Sequence, residues 1–125
     1  MFTKPKYYGT PEYATVCERL KEVAKQGGPP IGYDVIFQIM KLKPGNHAAK
    51  EAGQMLGEVS EQMHSEGKPM LSALVVNQQE GMPGPGFFEL AILLGKLQHG
   101  ASSQDKEAFW KKELRAVYSA TGCVG

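Results

Sequence analysis

Residues 45–57 read GNHAAKEAGQMLG, and residues 69–88 read PMLSALVVN, then QQEGMPGPG, then FF. The first piece places small residues, one lysine and apolar residues at three- and four-residue spacing, which is typical of an amphipathic helix. In the second piece, residues 70–77 are aliphatic and partly β-branched and predict a strand. The glycine- and proline-rich residues 81–86 predict a tight loop, after which Phe87 and Phe88 begin a return strand or the next helix.

A helix followed by a two-stranded hairpin is the arrangement of a winged helix-turn-helix. The preceding helix is predicted at residues 31–40, the turn at 41–46 and the long helix at 47–65. The helix-turn-helix therefore spans about residues 31–66 and the wing about 70–88. Further amphipathic helices are predicted from Thr10 onward and over residues 105–120. We expect one domain over residues 1–125, mainly α with a small β-hairpin, with extra N- and C-terminal helices on the winged core.

The composition is that of an ordinary globular protein, with 42% hydrophobic and 22% charged residues. No apolar run approaches the roughly eighteen residues that a membrane helix needs, and the first residues lack the apolar core of a signal peptide. These features predict a cytoplasmic protein without membrane contact. Cys17 and Cys123 lie near opposite ends of the chain and are expected to be inert thiols. The three histidines are widely separated, so no metal site and no cofactor are expected.

Charge is unevenly distributed along the chain, although the net charge is only +1. Residues 1–50 contain eight Lys or Arg against four Asp or Glu, whereas residues 51–90 contain one against six. A surface that binds duplex DNA carries clustered positive charge. The basic first segment agrees with such a surface, but the acidic second segment contains most of the predicted long helix.

Four pieces of the chain follow one another in an order that resembles a known family. They are IGYDVIFQIM (31–40), GNHAAKEAGQML (45–56), LSALVVN (71–77) and the loop around GMPGPGF (81–87). Together they resemble the C-terminal DNA-binding domain of the O6-alkylguanine-DNA alkyltransferase and alkyltransferase-like family, over about half of the chain. The resemblance implies a winged helix-turn-helix that binds double-stranded DNA with its long helix as the recognition helix.

The resemblance also implies roles for individual residues. Tyr33 lies where the family's tyrosine helps to rotate a target nucleotide through its phosphate, and Lys50 lies where an arginine enters the base stack. Ala48, Ala49 and Gly53 match the small residues that let the recognition helix approach DNA closely.

The reactive motif of the family is replaced in this chain. Ser72 takes the place of the acceptor cysteine, Ala73 that of the histidine and Leu74 that of the arginine. Alkyl transfer needs a thiolate activated by a neighbouring base, which these residues do not supply. We therefore expect a non-enzymatic DNA-binding protein, such as a bacterial or phage regulator.

The predicted DNA-binding surface centres on the start of the recognition helix, where backbone N–H groups favour phosphate. Asn46 and His47 lie at this start, and Asn46 is also a good helix cap. The loop that follows the predicted strand would touch the adjacent DNA backbone as a wing. The residues expected to contact DNA are Tyr33, Lys41, Lys43, Asn46, His47, Lys50, Gln78 and Gln79.

A second hypothesis is a protein-binding regulator or inhibitor, of the antitoxin, immunity or anti-defence type, built on the same scaffold. Glu51, Glu58, Glu61 and Glu66 are expected on an outward, acidic face of the recognition helix, away from its apolar stripe. On such a face they would repel a duplex and attract a basic protein partner. An oligomerising structural domain is a third alternative, and the sequence leaves the oligomeric state open.

Overall fold

The computed structural model describes residues 5–122, which are mainly α-helical as predicted. The helices are α1 (Pro11–Gln26), α2 (Tyr33–Met40), α3 (Asn46–Ser65), α4 (Pro85–Leu93) and α5 (Ser103–Gly122). A small parallel sheet joins β1 (Ile31–Gly32) to β2 (Val75–Val76), and a 3₁₀ helix (Leu71–Leu74) directly precedes β2. None of the described helices is both long and apolar enough to cross a membrane.

The first helix, α1, has the ends that the sequence predicts. The Thr10 hydroxyl accepts a hydrogen bond from the Tyr13 N–H (3.2 Å), and Pro11 occupies the first helical turn. Gly27 ends the helix at a φ of +68°, a left-handed conformation that favours glycine. Cys17 is a free thiol on the buried face of α1, whereas Cys123 lies outside the described residues.

The α2–α3 pair begins two residues later than predicted because residues 31 and 32 form β1 instead of helix. Lys41 follows the last residue of α2 as its C-cap and has a left-handed φ of +59°. Gly45 precedes α3 at a φ of +152°, a conformation available to few other residues. The predicted apolar stripe of α3 is buried throughout, and its members are Ala52, Met55, Leu56, Val59 and Met63.

The predicted hairpin over residues 70–88 is not formed as expected. Half of the predicted first strand is the 3₁₀ helix, and β2 pairs in parallel with β1 instead of antiparallel with a return strand. Antiparallel pairing in this region is a single bridge, in which the Asn77 N–H donates to the Met82 carbonyl (2.7 Å). Phe87 and Phe88 belong to α4, so the alternative of a following helix is confirmed. A run of aliphatic residues indicates a buried segment more directly than it indicates a strand.

Residues 70–75 are buried at the centre of the hydrophobic core. Buried backbone groups need hydrogen-bond partners, because water cannot reach them. Side chains of α3 and α5 supply these partners: Glu113 Oε2 for the Met70 N–H (2.8 Å), Ser60 Oγ for the Ser72 N–H (3.1 Å) and Trp110 Nε1 for the Ala73 carbonyl (2.9 Å).

The prediction of an outward acidic face on α3 is wrong for three of its four glutamates. Glu51, Glu58 and Glu61 are 6%, 5% and 8% exposed, whereas Glu66 at the end of the helix is exposed. Residues 5–10, named here the N-terminal segment, contact this side of α3. A broad acidic surface is therefore absent from the described part of α3.

Glu58 forms the centre of the contact with the N-terminal segment. Its carboxylate accepts hydrogen bonds from the backbone N–H groups of Lys6 (2.9 Å), Tyr7 (2.9 Å) and Tyr8 (2.7 Å). The Gln54 amide donates a further bond of 2.7 Å. One buried carboxylate thus satisfies three successive backbone donors of a segment that has no regular secondary structure.

Glu51 holds the same segment through its side chains. The Lys6 ammonium and the Tyr7 hydroxyl both donate to the Glu51 carboxylate. The bond from Lys6, followed by that from Tyr7, holds the pKa of Glu51 below its usual value. Burial, and then the bond to Glu51, raises the pKa of Tyr7 to about 12.

Replacing Glu58 with alanine is expected to lower the free energy of unfolding by about 2–3 kcal/mol, because several donors lose a charged acceptor. Urea denaturation followed by circular dichroism measures the change. Glu66→Ala removes an exposed carboxylate at the end of the same helix and should change stability by less than about 0.5 kcal/mol. Equal effects of the two substitutions would contradict the contact at Glu58.

The stability that Glu51 contributes should depend on pH in the acid range. Because its pKa is lowered in the folded protein, the contribution is complete above the unfolded pKa of about 4.3 and is lost as the pH falls through the folded pKa. The stabilities of the wild type and of Glu51→Gln should therefore differ at pH 7, and the difference should shrink as the pH falls below the unfolded pKa. A difference that stays constant over this range would show that the carboxylate is not paired.

Candidate nucleic-acid interface and its adjoining cleft

The connection between α2 and α3 carries four of the residues predicted to contact DNA, and all four are exposed. Lys41 and Lys43 lie in the connection, and Asn46 and His47 begin α3. Gly45 occupies the N-cap position in place of Asn46, and it offers no side-chain acceptor to the helix. The N–H groups of the first turn of α3 therefore point outward without a side-chain cap, where they can bind an anion.

The outward face of the first turns of α3 carries small residues and one cation. Ala49, Lys50 and Gly53 are exposed there. Glu51, Glu58 and Glu61 are buried, and Glu51, the one nearest to this end, is paired with Lys6. The charges that the exposed start of α3 presents are therefore those of Lys50 and of the positive end of the helix dipole.

A cleft of about 580 Å³ opens beside this face, bordered by α2, α3, α4 and the loop between β2 and α4. It brings together four of the predicted DNA contacts, which are Tyr33, Lys50, Gln78 and Gln79, and also Ser72, the residue at the position of the family's acceptor cysteine. Aromatic and aliphatic side chains complete the walls, including Phe37, Leu56, Phe87 and Leu90. The remaining predicted DNA contacts lie outside the cleft, on the α2–α3 connection.

Tyr33 links α2 to the opposite wall of the cleft. Its hydroxyl oxygen accepts a hydrogen bond from the Gly84 N–H (3.0 Å). Burial raises the pKa of Tyr33, and the bond from Gly84 opposes this rise. The phenol is therefore protonated at neutral pH, and its own O–H can donate to a group in the cleft. A Cβ at Gly84 would lie 3.1 Å from this oxygen, so glycine permits the close approach.

Ser72, at the position of the family's acceptor cysteine, is a buried residue on the wall of the cleft. Its hydroxyl oxygen lies 2.6 Å from that of Ser60, and its N–H donates to the same Ser60 oxygen. A pair of hydroxyl groups contains no base that could accept a proton. This contact holds the 3₁₀ helix against α3 and does not activate Ser72 as a nucleophile.

Several residues that line the cleft are not among the predicted site residues, notably Asp34, Phe37 and Asn77. Asp34 is exposed, and its carboxylate accepts a long hydrogen bond from the Gln78 amide (3.5 Å). Phe37 lies one helical turn after Tyr33, and this spacing predicts that the two side chains share a face of α2. The sequence did not show which face of α2 borders the cleft, because that depends on how α2 packs against α3.

Comparison of the chain with protein-family models, with curated proteins and with solved structures found no match. The family resemblance therefore rests on the motif residues of the 31–88 segment alone. Evidence for a function comes from the charges, hydrogen bonds and shape of the interface and of the cleft.

Replacing Tyr33 with phenylalanine should destabilise the cleft wall, because the Gly84 N–H loses its acceptor. The free energy of unfolding should fall by about 1 kcal/mol, and the Gly84 amide should exchange its hydrogen faster. Urea denaturation and hydrogen exchange followed by NMR measure the two effects. Tyr8→Phe, at a ring that is 54% exposed, is the matched control and should leave Gly84 unchanged. Unaltered exchange at Gly84 in Tyr33→Phe would show that the bond is unimportant.

Proposed function

We propose that this protein binds double-stranded DNA without catalysis, through the α2–α3 connection and the first turn of α3. The observation that carries the proposal is the composition of this surface. It combines an exposed helix N-terminus without a side-chain cap, three exposed lysines (Lys41, Lys43 and Lys50) and no exposed carboxylate of α3.

The N-terminus of α3 suits a phosphate group for two reasons. Its free N–H groups can donate hydrogen bonds, and the helix dipole places about half a positive charge there. The neighbouring lysines add point charges that displace counterions from the duplex. The exposed Ala49 and Gly53 are small, so the backbone of α3 can approach a groove closely.

The acidic composition of residues 51–90 is the main argument against this function. The burial of three glutamates of α3 weakens that argument. Glu51, Glu58 and Glu61 face the N-terminal segment or the core and not the proposed DNA surface. Glu66 lies at the far end of α3, twenty residues after Asn46. Asp34 remains as an exposed carboxylate in the cleft, and it disfavours phosphate at that point.

The cleft is suited to the mode of DNA binding that the alkyltransferase-like resemblance implies. In this mode an extruded nucleotide enters the cleft, the Tyr33 hydroxyl donates to its phosphate, and Lys50 occupies the place that the base leaves in the duplex. The volume of about 580 Å³ lies within the usual range for sites that bind small organic groups. Phe37 and Phe87 offer apolar surface to a planar base, and Ser72 offers no activated nucleophile.

The direct test is fluorescence anisotropy with a labelled duplex of about 20 base pairs at about 50 and 200 mM salt. Affinity should fall steeply with salt, with a logarithmic slope near −3 to −4 for three to five neutralised phosphates. The double substitution Lys43→Glu with Lys50→Glu should lower affinity at least tenfold and leave the circular dichroism spectrum unchanged.

The matched control is Lys21→Glu with Lys112→Glu, which changes net charge equally at exposed positions on α1 and α5. It should weaken binding much less than the Lys43 and Lys50 pair. Equal losses in both variants would assign the attraction to net charge and would overturn the proposed surface. Absence of binding by the wild type at the lower salt concentration would overturn the function itself.

A further inference from the structure

A second pocket lies on the other side of α3, where the N-terminal segment meets the end of α4. Its volume is about 260 Å³. The described residues that line it are Pro5, Tyr8, Glu58, Glu61, Gln62, His64, Ser65 and Leu94. It shares no residue with the cleft near Lys50, so it is a separate site.

One wall of this pocket is an exposed aromatic ring. Tyr8 lines the pocket and is 54% exposed, which is unusual for a large hydrophobic residue in the described part of the chain. Leu94, at the end of α4, adds apolar surface to the lining. Exposed apolar groups gathered at a concave site are typical of surfaces that bind another molecule.

The Tyr8 ring is held in place by its surroundings. The Tyr8 N–H donates to Glu58 (2.7 Å), and the ring packs edge to face against Tyr13 with centroids 5.2 Å apart. An aromatic ring on an anchored backbone loses little conformational freedom when a ligand packs on it. The exposure of Tyr8 is thus a fixed feature of the surface.

The charge of the pocket is complementary to a cation. Two glutamates, Glu58 and Glu61, and one histidine, His64, line it, and among the described residues no lysine or arginine does. The lysine nearest in sequence to Tyr8 on the N-terminal segment, Lys6, directs its ammonium group to Glu51, outside the pocket. A planar guanidinium group can stack on a tyrosine ring while it donates hydrogen bonds to a carboxylate, which an ammonium group does less well.

We propose that this pocket, named here the Tyr8 pocket, receives an arginine side chain of a protein partner. The guanidinium group stacks on the Tyr8 ring in the negative field of Glu58 and Glu61, although the Glu58 oxygens already accept hydrogen bonds from the N-terminal segment and Gln54. The aliphatic stem of the arginine packs against Pro5 and Leu94. The broad acidic face expected from the sequence is thus replaced by one small acidic pocket with an apolar rim. This site is independent of the proposed DNA surface.

The test is an NMR titration of the ¹⁵N-labelled full chain with N-acetyl-arginine amide, up to about 50 mM because a single side chain binds weakly. N-acetyl-citrulline amide is the matched probe, since it has nearly the same shape and no charge. Arginine should produce saturable shifts at the amides of residues around the Tyr8 pocket, at least fivefold tighter than citrulline. No saturation, or equal binding of both probes, would overturn the proposal.

Substitutions test whether arginine binds in the Tyr8 pocket. Tyr8→Leu and Glu61→Gln should each weaken arginine binding at least threefold, whereas Glu66→Gln and the Lys43 and Lys50 double variant should leave it unchanged. Tyr8 is exposed, so Tyr8→Leu tests the site even where Glu61→Gln disturbs folding. A chain that lacks residues 1–4 provides the last control. Binding that appears only in this shortened chain would make the protein's own N-terminus the occupant and would overturn a partner site.

Discussion

The structure depends on one constraint, which is the need to satisfy the buried backbone of residues 70–75 with hydrogen bonds. This segment lies at the centre of the core, where an unpaired N–H or carbonyl group costs about 1–3 kcal/mol. Ser60 from α3, Trp110 and Glu113 from α5, and the strand β1 together provide its partners. Helices that are distant in sequence are thereby held to a common segment, and their relative positions follow from it.

The cleft is a consequence of this arrangement. The parallel pairing of β1 and β2 places the end of β2 beside the start of α2, so that the loop after β2 returns over Tyr33. The Ser60–Ser72 contact holds α3 against the same segment. The buried Ser60–Ser72 contact and the partly buried Tyr33–Gly84 bond thus hold walls of the cleft in place, which is how a site can be preorganised without a ligand.

The two sides of α3 differ because of the N-terminal segment. Without that segment the helix would lose the contacts that cover Glu51 and Glu58, and this side of it would be acidic. With it, Glu58 binds three backbone N–H groups and Glu51 pairs with Lys6, so one side becomes an internal contact. The exposed lysines at the start of α3 and the small pocket beside Tyr8 then carry opposite charge on separate surfaces of one helix.

The sequence by itself determined most of the helices, since local signals encode them, but it left open whether Phe87 and Phe88 begin a strand or the helix α4. Thr10 and Pro11 start α1, Gly27 ends it, and the apolar spacing of α3 marks its buried stripe correctly. It also predicted Tyr33 and Lys50 as site residues, and both line the cleft. Tertiary structure alone decided that half of the aliphatic run at 70–77 is a 3₁₀ helix and that three glutamates of α3 are buried. Both outcomes depend on partners that lie 12 to 52 residues away in the chain, and local periodicity carries no information about contacts at that separation.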